Sequence, residues 1–463
     1  MRFVNRQNEL CFLQSEYQKS ESSLVVVYGR RRIGKTCLIN EFLRGKRGVY
    51  FLATEESESQ NIKAFQRAVA EFTTDDILAA SVVNEWDLLF KALLRACKNE
   101  RLVIVIDEFQ YLSKGNAAFP SVFQKVWDTL LKNENCMVIL CGSLITMMTG
   151  QLLTYGSPLY GRRTGQIKLK QIAFKEYHAF FPSFSSRQRI EFYAVTGGVP
   201  RYIEMFDGES DVFTAVEKLV VSRQSYLYDE PHYLLQHEVH EIGSYFSIIR
   251  SIAAGNHKIS TISADIAVNQ TNLPKYLKTL IDLDIIERQV PVTENNPEKS
   301  KMGLYRITDN FIAFWFTFVY PQKSRLEQNN TAYVMDTLRK TFVERHVAFV
   351  FEDICRAAMW ALEEKGFLSF SRVGRWWNKN TEIDIVALND DTKDIIFGEC
   401  KYTAAPMDTD VWYDMIEKKK EVLWNKDMRN ESFVFFSMTG FTRQMHELAQ
   451  SRTDIFLIGG DEL

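Results

Sequence analysis

Proline is scarce, 10 residues in 463, and glycine is modest at 22, which argues against a fibrous or disordered chain. No apolar run approaches the ~20 residues that a bilayer-spanning helix needs. The longest, Phe311 to Tyr320, is ten residues, so no membrane partner is expected. The opening MRFVNRQNEL lacks the apolar core of a secretory signal, and a cytoplasmic location is expected. Seven cysteines are scattered without a C-x-x-C pair or a nearby histidine cluster. They read as reduced, buried thiols and argue against a disulfide framework or zinc site. An excess of one charge is also missing: 56 Lys and Arg stand against 59 Asp and Glu, net -3. Any nucleic-acid contact must therefore be local.

What is present is a soluble composition, 46% hydrophobic and 25% charged, on a chain long enough for about three domains. From residue 22 to about 170, short β-branched runs alternate with amphipathic stretches. The runs are Leu24 to Tyr28, Val49 to Leu52, Leu102 to Ile106 and Met137 to Leu140. Apolar on both faces, they predict central strands of a parallel sheet covered by helices. Residues 171–255 turn to helical spacing and are expected to form a helical lid. Residues 256–320 begin with two short helical segments, Ser260 to Ala267 and Asn272 to Leu283. The runs Ile285 to Val290 and Gly303 to Ile307 follow as a hairpin, the order of a winged helix. A fresh α/β pattern occupies residues 340–463. The fold class is thus α/β, a P-loop-type parallel sheet with a lid, a winged helix and a separate C-terminal α/β domain.

Gly29-Arg30-Arg31-Arg32-Ile33-Gly34-Lys35-Thr36 fits G-x-x-x-x-G-K-[ST] between an apolar strand and a helical run that opens on Cys37. Backbone N–H groups of such a loop wrap phosphate, Lys35 reaches the β and γ phosphates, and Thr36 holds Mg²⁺. ATP and Mg²⁺ are the expected ligands. The run Leu102 to Ile106 ends in Asp107-Glu108, where Asp107 would hold Mg²⁺ and Glu108 would act as general base on the attacking water. Met137 to Leu140 leads to Ser143, either a γ-phosphate sensor or a simple turn residue. Arg162 and Arg163 either reach a phosphate, in the same chain or across a homo-oligomer contact, or are solvated.

Phe3-Val4-Asn5-Arg6-x-x-Glu9-Leu10, the Arg-rich loop, Asp107-Glu108-Phe109-Gln110, Pro158-Leu159-Tyr160-Gly161-Arg162 and Gly197-Gly198-Val199-Pro200-Arg201 together resemble the archaeal-type AAA+/STAND-related ATPases. The resemblance implies that the regions around Arg6 and Pro200 flank the adenine. It also implies an arginine finger, left open among Arg162, Arg163 and Arg201, and a winged helix followed by a nuclease-like domain.

In the helical segment Asn272 to Leu283, Lys275 and Lys278 would face a DNA major groove. Residues 255–308 hold seven Lys and Arg against six Asp and Glu, a light footprint for phosphate. DNA binding and partner docking both remain readings of this module. Farther on, period-two alternation places Glu382 and Asp384 on one face of a strand, and Glu399 and Lys401 on one face of the next, with Cys400 turned into the core. Asp384, Glu399 and Lys401 then converge, an arrangement that holds Mg²⁺ between carboxylates while the lysine serves the water attacking a phosphodiester. The pattern resembles the PD-(D/E)XK nucleases, which implies that Glu352, in the preceding helix, adds a further acid, with Arg375-Trp376-Trp377 just upstream of the first strand. A nuclease and a degenerate nuclease fold used for binding are the two alternatives.

Overall fold

The apolar runs dictate where strands form, and the computed structural model describes them across residues 3–97, 100–364, 366, 368–426 and 428–463. After helix α1 (Gln7–Tyr17) come strand β1 (Ser23–Tyr28), helix α2 (Lys35–Leu43), and strands β2 (Gly48–Leu52), β3 (Leu102–Asp107), β4 (Cys136–Gly142) and β5 (Gly165–Lys168). All five pair in parallel in the order β2-β3-β4-β1-β5. Every residue of β1, β3 and β4 is buried. Each fully buried Val, Ile or Leu contributes on the order of 1.5–3 kcal/mol, so these strands have no alternative solvent face. The four apolar runs appear as strands, as expected. β5 escaped notice because its four residues, Gly-Gln-Ile-Lys, carry one buried side chain, as suits a sheet edge.

Contacts divide the chain into two compact units. One runs to Ile172 and adds residues 199–204 and 234–239; the other comprises residues 173–198, 205–233 and 240–463. The segment 171–255 is helical among the described residues and contributes to both units.

Within the second unit, helices α3 (Ile259–Asp265) and α4 (Leu273–Asp282) precede an antiparallel hairpin of β6 (Ile286–Gln289) and β7 (Leu304–Ile307). Helix α4 buries Leu273, Leu277 and Leu280, the i, i+4, i+7 stripe of an amphipathic helix, and leaves Lys275 and Lys278 exposed. Next come helix α5 (Ala348–Glu364), strands β8 (Arg372–Trp377), β9 (Glu382–Asn389) and β10 (Asp394–Lys401), helix α6 (Thr409–Lys418), and strands β11 (Asn430–Ser437) and β12 (Ile455–Gly459). The sheet order is β12-β11-β10-β9-β8, with β8, β9 and β10 antiparallel and the remaining pairs parallel.

The alternation expected along β9 does not run through unbroken. Gly374 pairs with Val386 and Trp376 with Ile383, so two β9 residues, Asp384 and Ile385, stand opposite the single Arg375. Such a bulge re-aims the side chains at its apex, here Asp384. Among the described residues, no helix is long and apolar enough to cross a membrane.

Candidate functional sites

The first site lies at the C-terminal ends of β1, β3 and β4. Gly29 follows β1 with φ +155°, and a Cβ there would stand 2.5 Å from the Leu169 carbonyl oxygen, so no other residue fits. Gly34, at φ +91°, would place a Cβ 3.7 Å from Pro200 Cγ. Pro200 thus packs on the loop. Lys35 opens α2 and is buried; its ammonium donates to the carbonyls of Gly29 at 2.8 Å and Arg30 at 2.9 Å. Burial depresses its pKa, partly offset by the carboxylates of Glu108, Asp107 and Glu238. The loop is a cradle of backbone groups around a buried cation, the chemistry of a phosphate site.

Beside it, Thr36 Oγ1 donates to Asp107 Oδ2 at 3.3 Å, the Tyr50 hydroxyl donates to the same oxygen, and the Glu108 N–H donates to Asp107 Oδ1 at 2.8 Å. Burial and the Asp107 carboxylate together raise the Tyr50 phenol, which stays protonated. A hydroxyl and a carboxylate within reach of one another are hard oxygen donors, which fits Mg²⁺. Glu108 has φ +54°, uncommon for a residue with a Cβ. Its carboxylate accepts from Ser143 Oγ at 2.7 Å, from the Ser143 N–H at 3.3 Å, and from Gln110 Nε2. Ser143 therefore touches the acid that sequence made a general base. Tyr50 and Gln110 were not recognised as site residues. Gln110 was visible in the Asp-Glu-Phe-Gln run, whereas Tyr50 reads as one more apolar strand residue.

The remaining loop residues fall into place around this core. Arg6 is buried and donates to the Ile33 carbonyl at 3.3 Å, to the Lys170 carbonyl at 2.6 Å and to Glu9 at 3.2 Å. Arg31 donates to the Tyr111 hydroxyl at 2.7 Å. Arg30 is buried, Arg32 adopts φ +70°, and burial pushes the half-buried Cys37 thiol up. Of the readings left open for Arg162, contact with a phosphate of its own chain is the one the structure goes against. It pairs with Asp128 at 2.8 Å, and its neighbour Thr164 bonds Leu24 at the start of β1. The five-residue rise from Leu24 to Gly29 is about 16 Å of strand, so Arg162 lies beyond the N-terminal ends of the strands and does not join its own chain's cradle. Arg163 donates to the Leu152 carbonyl at 3.4 Å, and the exposed Arg201 pairs with Glu204 at 3.2 Å.

The second site lies on β9, β10, α5 and α6. Asp384 Oδ2 accepts the Cys400 N–H at 3.0 Å, and the Asp384 carbonyl accepts from Arg356 at 3.2 Å. Burial first, then the negative charges of Glu352 and Glu399, push the Asp384 carboxyl up to about 7. Glu399 pairs with Lys401 at 2.7 Å and with Lys418 of α6 at 3.2 Å. Glu352 pairs with Arg375 at 3.0 Å, and burial raises its pKa. The expected acids and lysine thus share one region, Arg375 of the Arg-Trp-Trp run pairs with Glu352 there, and the structure adds Lys418. Lys418 was missed because it lies in a Lys-Lys-Lys run that reads as a solvated helix end. Among the described residues, no group of three or more His, Cys, Asp and Glu side chains is placed to hold a metal ion. Five of the cysteines are buried and Cys37 is half-buried, but Cys11 is exposed, contrary to the expectation of buried thiols; all seven are free.

A family model described as an ATPase domain predominantly from Archaea matches residues 3–206. A second, described as archaeal and bacterial proteins of unknown function, matches residues 315–421. An uncharacterized protein of Methanocaldococcus jannaschii is 35% identical over 402 residues, covering 86% of this chain and 87% of its own length. An uncharacterized ATP-binding protein of the same organism is 49% identical over 45 residues, 10% of this chain and 76% of its own. Among solved structures, a Walker-type ATPase of Pyrococcus abyssi superposes with TM-score 0.53 at 21% identity, covering 68% of this chain and 96% of that chain. At that identity the likeness speaks for the fold alone.

Proposed function

This chain belongs to the P-loop ATPase family whose ATPase domain occurs predominantly in Archaea, and from that premise we propose that it binds ATP with Mg²⁺ and hydrolyses it to act on DNA. The observation that carries the ATPase reading is the contact chain Thr36–Asp107–Glu108–Ser143 beside the Lys35 cradle. Loop N–H groups and Lys35 bind the phosphates, which requires the ammonium to leave the Gly29 and Arg30 carbonyls. Thr36 and Asp107 would hold Mg²⁺, which when bound draws charge off the phosphates. Glu108 takes the proton of the attacking water, and Ser143 holds that carboxylate in place.

The helix–helix–hairpin module is read as a winged helix that offers Lys275 and Lys278 to DNA. The C-terminal module is read as a PD-(D/E)XK-type nuclease in which Asp384 and Glu399 would hold Mg²⁺ and Lys401 serves the attacking water. One observation favours a second reading, a nucleotide-switched DNA- or protein-binding regulator with an inactive nuclease fold: Glu352 and Glu399 are already neutralised by Arg375, Lys401 and Lys418.

The ATPase reading is tested by two substitutions. Lys35→Ala should lose ATP binding, whereas Glu108→Gln should keep it and lose turnover by about 10²-fold or more. Equal turnover in wild type and Glu108→Gln sinks the assignment.

A further inference from the structure

The second unit contains a cavity of about 370 Å³ between the hairpin of the helix–helix–hairpin module and the first turns of α5. Two guanidiniums form its floor, each already paired to a carboxylate. Arg375, with a side chain 5% exposed, and Arg306, at 19%, both reach the Glu382 carboxylate. Those bonds use the terminal nitrogens. The Nε atoms of both guanidiniums are buried without a hydrogen-bond partner, a state that costs free energy until an acceptor is supplied. The acids of the lining, Glu287, Glu344 and Asp353, are exposed at the rim, where solvent screens them. An anion inside therefore competes for the guanidiniums with Glu382, a half-exposed carboxylate that can turn to solvent, rather than with the rim acids.

Two further groups narrow the ligand. Phe349 is 46% exposed and lines the same cavity, a flat apolar face without a covering partner. Gln289 Oε1 is buried and unpartnered, an acceptor awaiting a donor. His257 also lines the wall, and its Nδ1 faces the Tyr305 carbonyl at 3.0 Å. A volume near the lower end of ligand pockets, paired guanidiniums, an aromatic face and one amide acceptor describe a single kind of molecule. We propose that this cavity binds a phosphate-bearing small molecule of nucleotide size, its phosphate on Arg306 and Arg375 and its ring against Phe349. Arg375 also neutralises Glu352, so the ligand draws on the same cation as the acid site of α5. The site does not depend on ATP turnover.

The test is titration calorimetry on the full chain carrying Lys35→Ala, which silences the P-loop. The titrants are inorganic phosphate and the four ribonucleoside 5′-monophosphates. At least one monophosphate should bind more tightly than inorganic phosphate, and Arg306→Gln should weaken it roughly tenfold. Phe349→Ala, at an exposed position that leaves the core intact, should abolish the nucleotide's advantage over phosphate while phosphate itself still binds. Arg375→Gln should act as Arg306→Gln does. If that variant does not fold, Arg306→Gln and Phe349→Ala decide the matter. Absence of binding by all five compounds, or binding unchanged in Arg306→Gln, overturns the proposal.

Discussion

Arg6 tests whether a residue assigned to the nucleotide by resemblance serves the cradle instead. Its guanidinium bonds the Lys170 carbonyl at 2.6 Å and the Ile33 carbonyl at 3.3 Å, inside the first unit. A charge-assisted bond of good length contributes roughly 1.5–3 kcal/mol and a long one less. The half-buried pair with Glu9 adds on the order of 0.5 kcal/mol. Against this stands the desolvation of the guanidinium, the cause that lowers its pKa, so the net loss in Arg6→Ala is about 2 kcal/mol. Backbone strain does not enter, since φ is +78° and neither Arg nor Ala favours that region. For a unit of this size, about 2 kcal/mol corresponds to a fall in Tm of roughly 4–8 °C. Differential scanning fluorimetry without nucleotide measures it, paired with binding of a fluorescent ATP analogue. Arg6→Lys should fall between, because an ammonium reaches one carbonyl but not both. An unchanged Tm together with weakened ATP binding would refute the reasoning and return Arg6 to the adenine.

Replacing Lys275 and Lys278 of α4 together with Lys299 and Lys301, exposed in the loop between β6 and β7, with Ala should weaken DNA binding and flatten its salt dependence by roughly 0.9 in slope per lost phosphate contact; unchanged affinity and slope make the module a docking element. Plasmid nicking with Mg²⁺ or Mn²⁺ should vanish in both Asp384→Ala and Lys401→Ala while ATP hydrolysis persists, but only Asp384→Ala should lose metal binding. Absence of nicking and of metal binding in the wild type leaves the switched binding protein standing. Because Asp384 is held up to about 7, the fold keeps a proton there that the unfolded chain sheds near pH 4. Its contribution to stability is full below that value and is lost as pH rises through 7. Asp384→Asn should therefore raise Tm more at pH 8 than at pH 5, and Mn²⁺ binding to the wild type should strengthen across pH 7. A Tm difference independent of pH contradicts both.

Most of the first candidate site was legible because its signals are local: a glycine loop with its lysine, and two acids at a strand end, each stand out within a few residues. What stayed hidden depends on register across the sheet. Tyr50 meets Asp107 only because β2 lies beside β3, and Arg162 is carried to the N-terminal end of the strands, away from the cradle, by the parallel pairing of β5 with β1. The C-terminal acids were legible as a set, yet alternation alone could not show the bulge at Asp384, which arises from pairing with β8. Lys418 reaches Glu399 from a helix that follows the strand; no spacing rule along β10 points to it.

The two acidic sites differ in what compensates their charge, and that difference bears on how each would accept a cation. Asp107 and Glu108 are satisfied by neutral donors: the hydroxyls of Thr36, Tyr50 and Ser143, the Gln110 amide and backbone N–H groups. Neutral donors leave the negative charge in place, so a divalent ion gains most of the Coulomb energy of the site by displacing or sharing them. Glu399 instead faces two ammonium groups. A metal there must first displace two partly exposed ammonium groups from a buried carboxylate, which is costly unless each freed cation finds another anion. A phosphodiester is such an anion, and Lys401 and Lys418 are the groups that would turn to it. Metal affinity at Glu399 should therefore be weak in the free protein and rise when DNA is present, whereas Mg²⁺ at Thr36 and Asp107 should need only the nucleotide. Metal titration with and without a short duplex separates the two cases. Equal affinity in both conditions would mean that Lys401 and Lys418 do not gate the second site.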